Sequence, residues 1–490
     1  MSEHDSIRFV LDGRVHTVTG IDPTTTVLQY LREHLGRTGT KEGCAEGDCG
    51  ACTVVLAELR DGRVQYLPIN ACIRFVATLD GKELITVESL RGTDGRLHPV
   101  QQALVDHHGS QCGFCTPGFV MSLLGLYLDG PAQPDRRAID DALSGNLCRC
   151  TGYRPIITAA QHLRDYGTDA VPFAPGQDES ARIAQLQGLR PDGTRVLRGD
   201  GVTLYAPTDA DAFARLYAEH PQATVLAGGT DVGLWINKQF RPIDTFLYLG
   251  DVAAFDAIEQ DAQGLCIGPA VSLSRAFRAL LDAYSALDEL HRRFASTPIR
   301  NSGTLCGNVA NGSPIGDSMP ALIALGARVR LRHGDERREL PLDALYLDYM
   351  RQDRRPGEFV EAVIVPAPRA GQRFATYKVS KRIDQDISAV CGAYALELAA
   401  DGRVHDVRIA YGGMAATPKR AAGAEAALRG RPFDEAALAD AMRALAGDFT
   451  PLTDARASAD YRREVAANLL SRFWLEATGV AAPVRLSELA

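Results

Sequence analysis

The sequence predicts a multidomain α+β chain, with two small cysteine-rich modules followed by a longer region of mixed strands and helices. Three observations carry this. The 490 residues suffice for about three domains at roughly 150 residues each. Short β-rich runs around Asp-Gly turns open the chain, give way to four helical runs, and are followed by alternating strands and helices. Eight of the eleven cysteines fall within the first 150 residues at tight spacings, and three are scattered beyond.

Composition narrows the function. The net charge is −8 and no long basic run occurs, which argues against nucleic acid as the main partner. No stretch approaches the roughly 18 uninterrupted apolar residues of a spanning helix, so no membrane role is expected. Met1-Ser2-Glu3-His4-Asp5 is polar and acidic, without a basic-then-apolar signal or a twin-Arg pair, and a soluble cytoplasmic protein is expected. In a reducing compartment, clustered thiols read as metal ligands rather than disulfides.

In chain order, residues 7–19 form two β-rich runs around Asp12-Gly13, a hairpin signal. Val27, Leu28, Leu31 and Leu35 recur at helical spacing. Five glycines between 36 and 50 make an irregular loop, and strands follow at 53–57 and before Cys72. These elements make a small α+β domain over 1–92. Four helical runs, carried by Val100/Leu104/Val105, Phe119/Leu123/Leu124/Leu128, Ile139/Leu143/Leu147 and Ile156/Ile157/Ala160/Leu163, predict a bundle over 93–166. Pro, Gly and acidic residues mark 167–198 as a linker. An α/β domain is expected over 199–372 and an α+β domain over 373–490, with strands at 389–398 and 407–410 and helices at 421–428 and 434–445.

Cys44-x4-Cys49-x2-Cys52, with Cys72 beyond, is the plant-type spacing for a [2Fe–2S] cluster. A glycine-rich loop can bend three thiolates onto one side and aim amide N–H groups at the cluster sulfurs. A structural zinc site more often uses paired C-x2-C knuckles. The second set, Cys112-x2-Cys115 and Cys148-x-Cys150, is open between zinc and iron–sulfur on spacing, with the tight C-x-C pair favouring a cluster.

These motifs carry a family resemblance. Cys44-Ala-Glu-Gly-Asp-Cys-Gly-Ala-Cys-Thr-Val, Gln111-Cys-Gly-Phe-Cys-Thr-Pro-Gly and Gly145-Asn-Leu-Cys-Arg-Cys-Thr-Gly-Tyr resemble the iron–sulfur domains of the xanthine oxidase family of molybdenum hydroxylases. The resemblance implies a β-grasp ferredoxin-like domain and then a four-helix [2Fe–2S] bundle. Cys112, Cys115, Cys148 and Cys150 then hold a second [2Fe–2S] cluster. The bundle would face a molybdopterin, with Gln111 and the Cys150 region nearest to it.

Leu226-Ala227-Gly228-Gly229-Thr230-Asp231-Val232 lies where a strand gives way to a helix, so paired glycines could bring the backbone close to a pyrophosphate. The motif is weak by itself. A second segment, 299–317, is rich in Gly, Asn and Ser, whose polar groups are most simply satisfied on a polar ligand. Both resemble the flavin domain of the same family. The resemblance implies FAD held by residues 226–232, Phe294, Thr304, Leu305, Cys306, Gly307, Asn308, Asp317, Val360 and Lys378. Phe294 reads as an adenine neighbour or as a plain core residue. Residues 378–387 read as the loop beside the flavin ring or as a solvated loop. Cys306 departs from the Gly expected there; Cys266, Cys306 and Cys391 have no partner spacing and read as small hydrophobes. The eleven histidines read as surface or structural.

The chain ends after the flavin-like region. The resemblance therefore implies an electron-transferring subunit without a catalytic residue of its own, passing electrons from a partner's molybdenum centre through two clusters to FAD and NAD. No G-x-G-x-x-G follows a strand, so NAD must dock on the flavin. The implied partner is a large molybdenum-binding subunit, in a heterotetramer of two small and two large chains. Fusion of both parts in one chain favours the purine-oxidising branch, hypoxanthine and xanthine to urate. The alternatives are an aldehyde, carbon monoxide or aromatic-acid hydroxylase, or a stand-alone reductase or redox sensor.

Overall fold

The computed structural model describes residues 3–169 and 171–479. The chain divides into two compact units. The first comprises Met1–Leu216, Gln222–Ala253 and Ala295–Gly303, and the second Tyr217–Pro221, Ala254–Phe294 and Thr304–Ala490. The flavin-like region expected as one domain over 199–372 thus contributes backbone to both units.

The first unit starts with the expected hairpin, Ser6–Leu11 against Arg14–Thr19, turned by Asp12 and Gly13 at φ 52° and 73°. It belongs to a five-stranded mixed sheet with Glu83–Ile85, Thr53–Arg60 and Arg63–Asn70. Thr26 and Gln29 cap each other at the start of the next helix, which widens to a π turn over Tyr30–His34. Helices Pro99–Asp106, Thr116–Asp129, Arg136–Leu143 and Arg154–Gln161 form the second module. Phe119, Leu123 and Leu124 bury it against the sheet residues Val55 and Tyr66. Two residues counted as core by periodicity differ: Val105 is exposed, and Leu147 lies beyond the helix that ends at Leu143.

The segment 167–198 is not a linker in structure. It contains helix Ser180–Gly188 and strand Thr194–Gly199, with Leu186, Leu189, Val196 and Leu197 buried. Pro and Gly punctuate only its ends, while Ile183, Leu186 and Leu189, spaced three apart, supply an apolar face. The strand continues into a sheet holding Val202–Pro207, Thr245–Tyr248 and Thr224–Leu226, whose last three strands run parallel.

The second unit holds two larger antiparallel sheets and a small two-stranded one, Tyr346–Asp348 with Arg351–Gln352, among the described residues. One larger sheet orders Ile258–Asp261, Gly264–Ile267, Phe359–Pro366, Arg328–His333 and Glu336–Pro341. The other is Arg373–Val379, Val390–Leu398, Val404–Gly412 and Lys419–Arg420, backed by helices Ala422–Leu428, Glu435–Asp448 and Ala459–Thr478.

Candidate redox centres

In the first cysteine loop the thiols neighbour one another pairwise, Cys49 and Cys72 beside Cys44 and Cys72 beside Cys52. Cys49 and Cys72 both donate to the sulfur of Cys44, which holds that thiol far below its ordinary pKa, and Cys72 also donates to Cys52. Cys72 is correspondingly raised, first by its bond to Cys44. Amides of Glu46, Asp48 and Cys49 point at the Cys44 sulfur from 3.5, 3.4 and 3.4 Å, and Asn70 Nδ2 lies 3.9 Å from the Cys52 sulfur. These are the N–H donors that an anionic cluster needs. The loop is wound by Ala45, Gly47 and Gly50 at φ 55°, 80° and 70°.

The second set meets as two pairs. Cys115 donates to Cys148, and Cys150 to Cys112. Burial, followed by the bond to Cys148, pushes Cys115 up to about 12. Thr151 Oγ1 lies 3.2 Å from the Cys148 sulfur, and the Cys148 amide donates to the Tyr153 hydroxyl at 3.1 Å. Cys112 and Cys150 are exposed, while Cys148 is buried. Among the described residues no three His, Cys, Asp or Glu side chains are grouped to hold a single ion. Paired thiols instead suit a cluster that spreads four ligands over two irons.

The two loops lock into each other. Leu147 N donates to Cys49 O at 3.0 Å, and Asn146 Nδ2 to Gly50 O at 3.3 Å, with Ser122 Oγ holding Asn146 Oδ1 at 2.6 Å. A Cβ on Gly50 would overlap the carbonyl oxygen of Gly145, and one on Gly118 would overlap that of Gly50.

The Leu226–Val232 turn leaves the end of its strand as expected. Its glycines, however, make room for protein. A Cβ on Gly228 would collide with the Ser302 carbonyl, and one on Gly229, at φ 76°, would stand 3.0 Å from the Ile73 carbonyl oxygen. Helix Val232–Asn237 spans only six residues, so the turn itself supplies the donors. The amides of Ala227, Gly228, Gly229, Thr230 and Asp231 meet no acceptor among the described residues, although Gly228 and Gly229 are buried. A run of unanswered N–H groups, two of them on buried residues, fits a phosphate-bearing ligand.

The remaining flavin candidates lie in the second unit, where several turn into protein. Phe294 is buried with its ring 5.6 Å from that of Phe277, which is the core reading. Leu305, Cys306 and Val360 belong to the same apolar cluster, and Cys306 Sγ donates to Ile267 O at 3.4 Å. Thr304 caps its helix by accepting from Gly307 N at 3.0 Å. Asn308, half-buried, accepts from Ser318 Oγ. Asp317 and Lys378 form a buried ion pair at 2.5 Å, with Ser388 bonded to both. Arg293 straps the 378–387 loop through bonds to Lys378 O, Ser380 Oγ and Ile383 O. Sequence reasoning missed Asn70, Asn237 and Arg293, since none carries a spacing signal, and quoted Asn146 and Thr151 within a motif without giving them a role. Tyr153 stood within a quoted motif but was given no role.

Fold and sites together define an iron–sulfur flavoprotein. Residues 9–77 match the family described as 2Fe-2S iron-sulfur cluster binding domain, and 86–161 match the [2Fe-2S] binding domain. Residues 200–368 match the FAD binding domain in molybdopterin dehydrogenase, and 375–477 the CO dehydrogenase flavoprotein C-terminal domain. The chain is 32% identical to a xanthine dehydrogenase of Emericella nidulans, over 96% of this chain and 38% of that protein. It is 30% identical to aldehyde oxidase 1 of Cavia porcellus, over 97% and 40%. A carbon monoxide dehydrogenase structure from Hydrogenophaga pseudoflava aligns with a TM-score of 0.52 at 26% identity, covering 55% of this chain and 94% of that one. The chain spans about two fifths of the length of the curated relatives it matches. It belongs to the molybdenum hydroxylase family and carries that family's two [2Fe–2S] domains and FAD-binding domain. Among the described residues no helix is long and apolar enough to cross a membrane.

Proposed function

We propose that this chain is the electron-transferring subunit of a xanthine dehydrogenase, carrying electrons from a molybdenum-holding partner chain to NAD. The observation that carries the reading is the interlock of the two cysteine loops at Cys49 and Leu147, within the same compact unit as the 226–232 turn. Cys44, Cys49, Cys52 and Cys72 would hold one cluster, and Cys112, Cys115, Cys148 and Cys150 the other. The amides of 227–231 would take the FAD phosphates; residues 304–308, Asp317 and Lys378 are proposed for FAD from the family resemblance alone. Clusters pass single electrons and a flavin exchanges a hydride with nicotinamide, which is the chemistry these groups supply when bound.

The chain's own residues supply placement. The exposed Cys112 and Cys150 face is where a molybdenum-holding chain would dock, in an assembly of two chains of each kind. Arg293 would hold the 378–387 loop beside the flavin, where NAD would approach. Eleven free thiols accord with the reducing cytoplasm.

Coverage favours the xanthine or aldehyde type over the carbon monoxide type. The xanthine dehydrogenase and aldehyde oxidase alignments run through nearly the whole chain, whereas the aligned carbon monoxide dehydrogenase chain corresponds to about half of it. The test is turnover of the purified chain. It should pass electrons from NADH to an artificial dye and oxidise neither xanthine nor hypoxanthine until the large chain is added. Purine oxidation by this chain alone, or a large partner that accepts aldehydes but no purine, overturns the assignment.

A further inference from the structure

We propose that the first cysteine loop is the floor of the 226–232 turn, so that filling the first cluster site makes the turn competent to bind FAD. This rests on the flavin reading above and adds an order of cofactor loading to it. The helix that continues the turn lies directly on the Cys72–Ile73 backbone. A Cβ on Gly233 would stand 2.6 Å from the Ile73 carbonyl oxygen, and one on Gly229 3.0 Å from the same atom. Both glycines are therefore places where two backbones touch. Asn237 closes the contact: its Nδ2 donates to Cys72 O at 2.6 Å and reaches Ala45 O at 3.5 Å. Cys72 is a ligand, and Ala45 follows the ligand Cys44. One side chain on the flavin side thus grips both arms of the cysteine loop. The Ile73 side chain lies under Gly47, where a Cβ would be 2.7 Å from its Cδ1.

A loop built around four thiols draws much of its order from the metal it binds. Without the cluster, the Ile73 carbonyl no longer sits at a fixed height beneath Gly229 and Gly233, and the amides of 227–231 lose their common direction. FAD then meets a turn that is competent only part of the time, and its apparent affinity falls by that fraction. Linkage makes the effect reciprocal, so bound FAD retains the first cluster by the same factor. Asn237 is the positioning residue through which the two sites communicate.

The test titrates FAD into the full chain, following quenching of flavin fluorescence, with iron measured on the same samples. Wild type is compared with Cys44→Ser, Asn237→Leu and Cys115→Ser. Cys44→Ser should bind FAD at least about tenfold more weakly, while the second cluster's spectroscopic signal reports that the chain is folded. Cys115→Ser, which strikes the other site, should stay within about twofold of wild type. Asn237→Leu should keep about four irons yet bind FAD more weakly and shift the plant-type cluster's signal. The inference is overturned if Cys44→Ser, or iron-replete Asn237→Leu, binds FAD as tightly as wild type. Wild-type protein with both clusters and no affinity for FAD would instead overturn the flavin reading itself.

Discussion

The amide of Leu147 donates to the carbonyl oxygen of Cys49 at 3.0 Å. One hydrogen bond thus joins a candidate ligand of the first site to the residue preceding Cys148, a candidate ligand of the second. Gly50 permits it by sitting at φ 70° against Gly145 and Asn146. Gly50→Ala combines left-handed backbone with an overlap onto backbone atoms, and should cost about 3 kcal/mol. Gly13→Ala, also at positive φ but with open space around it, should cost about 1 kcal/mol. Thermal midpoints and iron content of the two variants check this: only Gly50→Ala should lose iron.

The two sets of thiols predict two independent clusters. Wild-type protein should carry about four irons per chain and show two distinguishable signals on reduction. Cys72→Ser should remove one signal and leave the other. Loss of both in a folded chain would show that the sites do not assemble separately.

Gly228→Val should abolish FAD binding while both clusters remain. The cause is steric: the new side chain strikes the Ser302 carbonyl and displaces the turn whose amides are proposed to take the FAD phosphates. Absorbance of the purified variant separates flavin from iron–sulfur content.

The plant-type cysteine spacing, the hairpin, the bundle helices and the glycine turn were all legible in the sequence, because each is set by residues close together in the chain. The partners of the glycines were not. Gly228 reads as making room for a phosphate, yet its neighbour is Ser302; Gly50 reads as loop flexibility, yet it is clamped by Gly145. Such contacts join distant stretches and leave no periodic trace. Asn237 was invisible for the same reason, and Asn146 stood in a quoted motif without its contact being legible, since one hydrogen-bonding side chain has no pattern. The 167–198 segment misled because its Pro and Gly residues mask a single apolar face of a short helix.

His98 predicts a pH effect on the bundle. It is fully buried, caps helix Pro99–Asp106 by accepting from Val100 N, and pairs with Phe173 O at 3.1 Å. Burial lowers its pKa from 6.5 to about 4. The neutral ring is favoured in the fold, so its stabilisation is complete above pH 6.5 and is lost as pH falls towards 4, by about 3 kcal/mol in all. Hydrogen exchange of the Pro99–Asp106 amides at pH 7 and pH 4.5 should show this loss, and His98→Asn, which keeps a cap, should flatten it.

The central claim is that two clusters and one flavin sit in this chain as a connected redox unit. An anaerobic reductive titration of the purified full chain tests it directly, following flavin absorbance and the electron paramagnetic resonance of both clusters together. The chain should take up about four electrons, with two cluster signals and flavin bleaching that reach redistribution equilibrium after each addition. Uptake confined to one cluster, or a flavin that stays oxidised beside two reduced clusters after excess reductant, would contradict the account.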